Sequence, residues 1–231
     1  MQPIPVLIIG ASGSGKSSSI ATLDNEETFL FNVCQKDLPF RGGSKKYSEI
    51  NSNDVTKGNK KNTDDYKNIK GWIKLIEKER PEIKNYVVDD SHYLIVNEFM
   101  RKCLNRCKGN EAFQVYNELA FNFWDLIYSS RKSLADDKFI FFLHHSEINE
   151  QGNVVPKTIG KMLNEKIDIS GMFTTVLYAK REETKNFFYT QNDGTTPAKS
   201  PAGMFTETKI PNDLQLVKNT ITTFYEGEYD V

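Results

Sequence analysis

Val6-Leu7-Ile8-Ile9-Gly10-Ala11-Ser12-Gly13-Ser14-Gly15-Lys16-Ser17 joins a short, wholly apolar run to a GxxxxGKS loop. The apolar run predicts a strand buried on both faces of a parallel sheet. Glycines let the following backbone turn tightly, so that successive N–H groups converge on an anion. A helix expected from about Lys16 to Leu23 adds the partial positive charge of its N-terminus. In this context the loop is a phosphate cradle of the P-loop type. The nucleotide-binding residues are then Gly10, Ala11, Ser12, Gly13, Ser14, Gly15, Lys16, Ser17 and Ser18. Lys16 reaches the β- and γ-phosphates and the Ser17 hydroxyl binds Mg²⁺. The ligand expected is ATP, since no guanine-reading motif is apparent: NEKID at 164–168 has the wrong spacing.

Downstream of the loop the chain alternates strand and helix signals. TFLFNVC (28–34) reads as a second strand, and Trp72, Ile73 and Ile76 mark a helix ending near Pro81. YVVDD (86–90) is the next strand, followed by helices at about 93–107 and 112–134. In the second of these, Phe113, Tyr116, Ala120, Phe123 and Ile127 recur at helical spacing, one stripe facing the core. KFIFFLH (138–144) is another buried strand, 173–179 and 186–190 are two edge strands of antiparallel type, and 213–225 is a closing helix. The fold class expected is α/β: a P-loop NTPase with a mostly parallel sheet flanked by helices, antiparallel toward the C-terminal edge. Its 231 residues suit one domain, 1–231, with a flexible polar loop at about 41–67.

Three further segments carry chemistry. An acid ending an apolar strand of a P-loop domain sits beside the cradle, so Asp89 is the second metal residue and Asp90 is placed to orient or deprotonate the attacking water. His144 and His145 end the next strand, where a polar group can sense the γ-phosphate. Being adjacent in a strand they face opposite sides and do not pair on a metal. Lys157 and Lys161, four apart around Thr158 and Gly160, suit phosphate contact with a nucleic-acid strand or with a neighbouring subunit's nucleotide. Lys199 in AKSPAGMF is a weaker candidate of the same kind.

Bulk properties exclude several classes. Thirty Lys and Arg against 31 Asp and Glu leave no basic surface at large, so a nucleic-acid contact has to be local. The cysteines Cys34, Cys103 and Cys107 form no CxxC pair, which argues against a zinc ribbon or a disulfide framework, and Cys103 and Cys107 fall on one helix face. No secretory signal or membrane-length apolar stretch is present, and the cytoplasm is expected.

Several segments together resemble one family. VLIIGASGSGKSSS, LPF before the polar loop, YVVDDSHYLIVNEFM, FFLHHSE, PKTIGKMLNEKI and AKSPAGMF are similar to the ATP-binding, RecA-like proteins of bacteriophage recombination modules, which are associated with single-strand annealing. The resemblance implies a RecA-like core, a homo-oligomer, action on single-stranded DNA, and phage replication or recombination proteins as partners. It also implies that His144 or His145 is the γ-phosphate sensor and that 148–165 is the DNA-facing loop. One departure stands out. The family's catalytic Glu is expected just after the second strand, where this chain has Gln35-Lys36-Asp37. Asp90 or Asp37 takes that role, or hydrolysis is slow. A nucleotide-gated assembly protein and a P-loop kinase are the alternatives. The arginines (Arg41, Arg80, Arg101, Arg106, Arg131, Arg181) form no cluster in sequence of the kind a kinase lid carries.

Overall fold

The computed structural model describes residues 2–106 and 109–227. Among them the chain forms β1 (Ile4–Gly10), a 3₁₀ helix (Ser17–Thr22), β2 (Thr28–Asn32), α1 (Gly43–Lys46), β3 (Lys60–Asn62), α2 (Tyr66–Glu79) and β4 (Asn85–Asp89). There follow α3 (His92–Arg106), α4 (Asn110–Ser133), β5 (Phe139–Ile148), β6 (Val154–Pro156), α5 (Lys161–Asn164), a 3₁₀ turn (Ser170–Met172), β7 (Thr175–Glu182), β8 (Lys185–Tyr189), β9 (Lys209–Pro211) and α6 (Leu214–Glu226).

The strands order as β3-β2-β4-β5-β1-β7-β8-β9, with β6 on the extended end of β5. Pairings from β3 through β7 are parallel, while β5–β6, β7–β8 and β8–β9 are antiparallel. This is the expected α/β architecture, mostly parallel and antiparallel toward the C-terminal edge. Parallel neighbours cannot be joined by tight turns, so crossovers put helices on both faces.

The two-residue repeat of the strands decides what each face receives. Leu7 and Ile9 of β1, Val88 of β4, and Ile140 and Phe142 of β5 pack under α2, α3 and α4. Val6, Ile8, Val87, Phe141, Leu143, Leu177 and Ala179 pack on the opposite face, with Ile20 of the 3₁₀ helix and Leu214, Val217 and Ile221 of α6. Burying one such side chain contributes about 1.5–3 kcal/mol, so the two layers hold the sheet rigid beneath the site. Asp65 caps α2 by accepting from the Asn68 N–H at 2.8 Å, and Asp213 caps α6 likewise from Leu216 at 2.9 Å.

Several expectations need correction. The helix expected after the cradle is present at Ser17–Thr22, as a 3₁₀ helix. The polar stretch 41–67 carries α1 and the edge strand β3, and it buries Tyr47 and Ile50. Its backbone is organised by Asn59, whose amide donates to the carbonyls of Asn25 and Lys46. Of the α4 stripe, Ala120, Phe123 and Ile127 are core, but Phe113 is 58% exposed. A second aromatic row on α4 had no sequence reading: Phe121, Trp124 and Tyr128 lie exposed on its outer side. β5 runs past the expected end at His144 to Ile148, so His145 also lies within the strand. Cys107, expected beside Cys103 on one helix face, lies outside the described residues.

Candidate nucleotide site

The cradle follows β1 directly, and its shape depends on glycine at two points. Gly13 has φ +77° and Gly15 φ +94°, the left-handed region that side chains disfavour. A Cβ on Gly15 would also lie 2.6 Å from the Asn186 side chain. Lys16 is 5% exposed, and its Nζ donates to the carbonyls of Gly10 and Ala11 at 2.7 and 2.9 Å. Burial lowers its pKa to about 8, against the opposing pull of Asp90 and Asp89.

The strand repeat then supplies the walls. Asp89 follows Val87 on the cradle's face of the sheet, His145 follows Leu143, and Arg181 follows Ala179. Strands β4, β5 and β7 thus each deliver one side chain near their C-terminal ends, the edge at which open α/β sheets bind ligands. A cavity of about 330 Å³ results, lined by the cradle, Lys36, Asp37, Asp89, Asp90, His145, Arg181 and Asn186 among others.

The Ser17 hydroxyl donates to Asp89 Oδ1 at 2.7 Å, although 72 residues separate the two. Burial, and then the neighbouring Asp90 charge, raise the Asp89 carboxyl to about 7, while Ser17 and Lys16 hold it down. A buried carboxylate and a hydroxyl are the hard oxygen donors that suit Mg²⁺, which keeps waters and takes its remaining ligands from phosphates. These residues therefore fit the metal, and the glycine cradle fits the nucleotide's phosphates.

Asp90 has φ +60° and a different set of partners. It accepts from His145 Nε2 at 2.9 Å and from Lys36 Nζ at 3.4 Å, with the Cys34 thiol beside it. Burial would raise its pKa, but the hydrogen bond and charge of His145, with Cys34 and Lys36, outweigh it and bring the value to about 2. The Cys34 thiol is pushed up to about 12 by burial and the Asp90 charge.

His144 faces the other way, into the layer under α3 and α4, with the Phe123 ring 5.6 Å from its own. Its Nε2 lies 2.8 Å from the Lys157 carbonyl, which only accepts, so Nε2 carries the hydrogen. Nδ1, 2.9 Å from Ser91 Oγ, is then the acceptor. Burial lowers its pKa to about 3. His92, at the start of α3, completes a cluster of all three of the chain's histidines. Its ring lies 5.6 Å from that of His144 and 5.9 Å from that of His145. Among the described residues both of its nitrogens are buried with no hydrogen-bond partner. Burial lowers its pKa to about 4.

Of the expected site residues, the structure brings together the cradle, Ser17, Asp89, Asp90 and His145. Lys157 and Lys161 lie elsewhere, exposed beyond β6. The Lys157 backbone is tied to β5, and the Lys161 ammonium pairs with Glu150 at 2.8 Å. Lys199 is pinned by its backbone to Val176 of β7 and lines no part of the nucleotide cavity. Lys36, Arg181, Asn186 and His92 were not read as site residues. Arg181 makes no ion pair among the described residues, and its Nε donates to the Glu183 carbonyl at 3.2 Å. The alternation in TVLYAKR could have placed it, once β7 was known to lie beside β1.

A family model described as an AAA domain matches residues 2–202, and the chain belongs to that family. Among solved structures, a KaiC-like protein from the hyperthermophilic archaeon Pyrococcus horikoshii OT3 is similar at 13% identity. The match covers 80% of this chain and 77% of that one, with a TM-score of 0.41, a level of likeness that says nothing about function. No curated protein matches this chain. No described helix is long and apolar enough to cross a membrane.

Proposed function

We propose that this AAA-domain chain is a Mg²⁺-dependent ATPase that acts on single-stranded DNA in the cytoplasm of a bacterial host, in phage recombination or replication. The observation that carries the nucleotide part is the Ser17–Asp89 hydrogen bond at 2.7 Å, which joins the cradle to the strand-end acid as one metal-binding pair. When bound, Mg²⁺ supplies positive charge to the phosphates. Lys16 adds its own charge, and the glycine backbone orients the triphosphate. Support for the DNA part is the segment 148–165. It starts at Ile148, the last residue of the strand that carries His144 and His145, and presents Lys157 and Lys161 to solvent. Assembly into a homo-oligomer would let those lysines meet either DNA or a neighbour's nucleotide.

Phosphate release from Mg²⁺-ATP, with and without single-stranded DNA and beside a panel of phosphoryl acceptors, tests the reading. DNA-stimulated release supports it. Transfer to an acceptor would make the chain a kinase. Tight ATP binding without release would make it a nucleotide-gated assembly protein, a reading that Gln35 in place of the expected Glu favours.

A further inference from the structure

Hydrolysis needs a group to take the proton of the attacking water, and the position after β2 offers Gln35, with φ +55°, where a glutamate was expected. Four other groups line the cavity and could serve: Asp37, Asp89, Asp90 and His145. Asp89 is engaged with Ser17 as the metal pair. Asp90 is engaged by two donors, His145 Nε2 at 2.9 Å and Lys36 Nζ at 3.4 Å. Among the described residues Asp37 makes no hydrogen bond or ion pair with any of these groups.

His145 stands differently. An ionised carboxylate can only accept, so the hydrogen between it and Asp90 sits on Nε2. When the ring is neutral this contact selects one tautomer and leaves the lone pair on Nδ1. Among the described residues Nδ1 has no hydrogen-bond partner. The ring lines the cavity together with Lys16, Ser17 and Asp89, and its backbone pairs in register with Gly10, the first residue of the cradle. The Tyr93 ring, 5.6 Å away and perpendicular, and the His92 ring behind it hold its orientation.

We propose that His145 is the proton acceptor for the attacking water and that Asp90 is its positioning residue. The inference rests on the ATPase reading above. In the step, a water O–H bond breaks and its proton goes to His145 Nδ1. The oxygen's electron pair forms the new bond to the γ-phosphorus, and the bond from that phosphorus to the bridging oxygen breaks, leaving its pair on ADP. The imidazolium then releases its proton to solvent, so the balance is ATP and water to ADP, phosphate and a proton. Asp90 keeps Nε2–H throughout and stabilises the positive ring, the division of labour known from aspartate–histidine pairs in hydrolases.

The test has two readouts on the full chain. Nitrogen-15 NMR of the wild-type histidine rings reports the tautomer without any substitution, and three histidines are few enough to resolve. His145 is expected as the Nε2–H form, with Asp90→Asn shifting it toward Nδ1–H. The second readout is ATP turnover against Mg²⁺-ATP affinity. His145→Gln and Asp90→Asn should each lower turnover by about 10²-fold or more, while affinity changes by less than about threefold. An Nδ1–H ring in the wild type overturns the proposal, as does His145→Gln turning over at the wild-type rate. A wild type that binds ATP without hydrolysing it overturns the base assignment alone. Failure to bind ATP overturns the reading beneath it.

Discussion

His144 Nε2 donates a 2.8 Å hydrogen bond to the carbonyl of Lys157, and the Lys157 N–H donates at 2.8 Å to the carbonyl of His145. The strand end that reaches the nucleotide cavity therefore grips Lys157, the first lysine of the exposed segment, from two sides. A shift of β5 at His144 or His145 would pull directly on the Lys157 backbone, which is the connection a nucleotide-controlled DNA contact needs.

If that segment faces DNA, Lys157→Ala with Lys161→Ala should weaken single-strand binding almost equally for all sequences. The log–log salt slope should flatten by about 0.7 per lost contact. Lys157 should account for more of the loss, because Lys161 already pairs with Glu150. Fluorescence anisotropy at several salt concentrations measures both. Unchanged binding would make the segment ordinary surface.

Lys16→Ala should lower ATP affinity by at least about tenfold, or about 1.4 kcal/mol, while the folded structure persists. Its ammonium bonds only to two cradle carbonyls, and no core side chain depends on it. Calorimetric titration against a circular-dichroism melt separates affinity from stability.

Asp89→Asn should remove most of the difference between ATP affinity with and without Mg²⁺, leaving metal-free binding nearly intact. Ser17→Ala should do the same in part. Titrations in Mg²⁺ and in chelator read the difference directly, and an undiminished Mg²⁺ effect in Asp89→Asn would place the metal elsewhere.

Gly15→Ala should destabilise by about 1–2 kcal/mol from the left-handed backbone alone. The added Cβ would also press on Asn186, 2.6 Å away. Combining it with Asn186→Gly, which also removes the Asn186 Cβ 2.7 Å away, should recover the steric part and leave the backbone part. Urea unfolding of the two single variants and the double variant gives the coupling.

Acid should weaken the fold through the buried histidines. His144 and His92 bind protons at about 3 and about 4 in the folded chain, against 6.5 when exposed. The unfolded chain therefore binds more protons as pH falls below about 6.5. The stability is present in full above that pH and drains away toward pH 4, at about 1.4 kcal/mol per pH unit for each ring. His92→Phe should flatten that slope. It should also cost nothing at pH 7, because it replaces two buried nitrogens that have no hydrogen bond. Urea midpoints between pH 7 and pH 4.5 measure both effects.

The cradle, Asp89 and the α/β class were legible in the sequence because each depends on a few consecutive residues. GxxxxGKS fixes its own loop, and an apolar run fixes its own strand. The facing of His144 and His145 was legible for the same reason, since a two-residue repeat needs no knowledge of neighbours. What lay beyond was set by pairing between distant segments. Tyr47 and Ile50 could not be seen as buried within a polar stretch until β3 docked on β2. Arg181 and Asn186 join the cavity only because β7 lies beside β1 and β8 folds back on β7. His92 is far in sequence from the other two histidines, and β5 carries them to it by running next to β4. That same neighbourhood put the His145 ring against Asp90, 55 residues away. Sequence spacing encodes which face a side chain takes, but sheet order decides which side chains share that face.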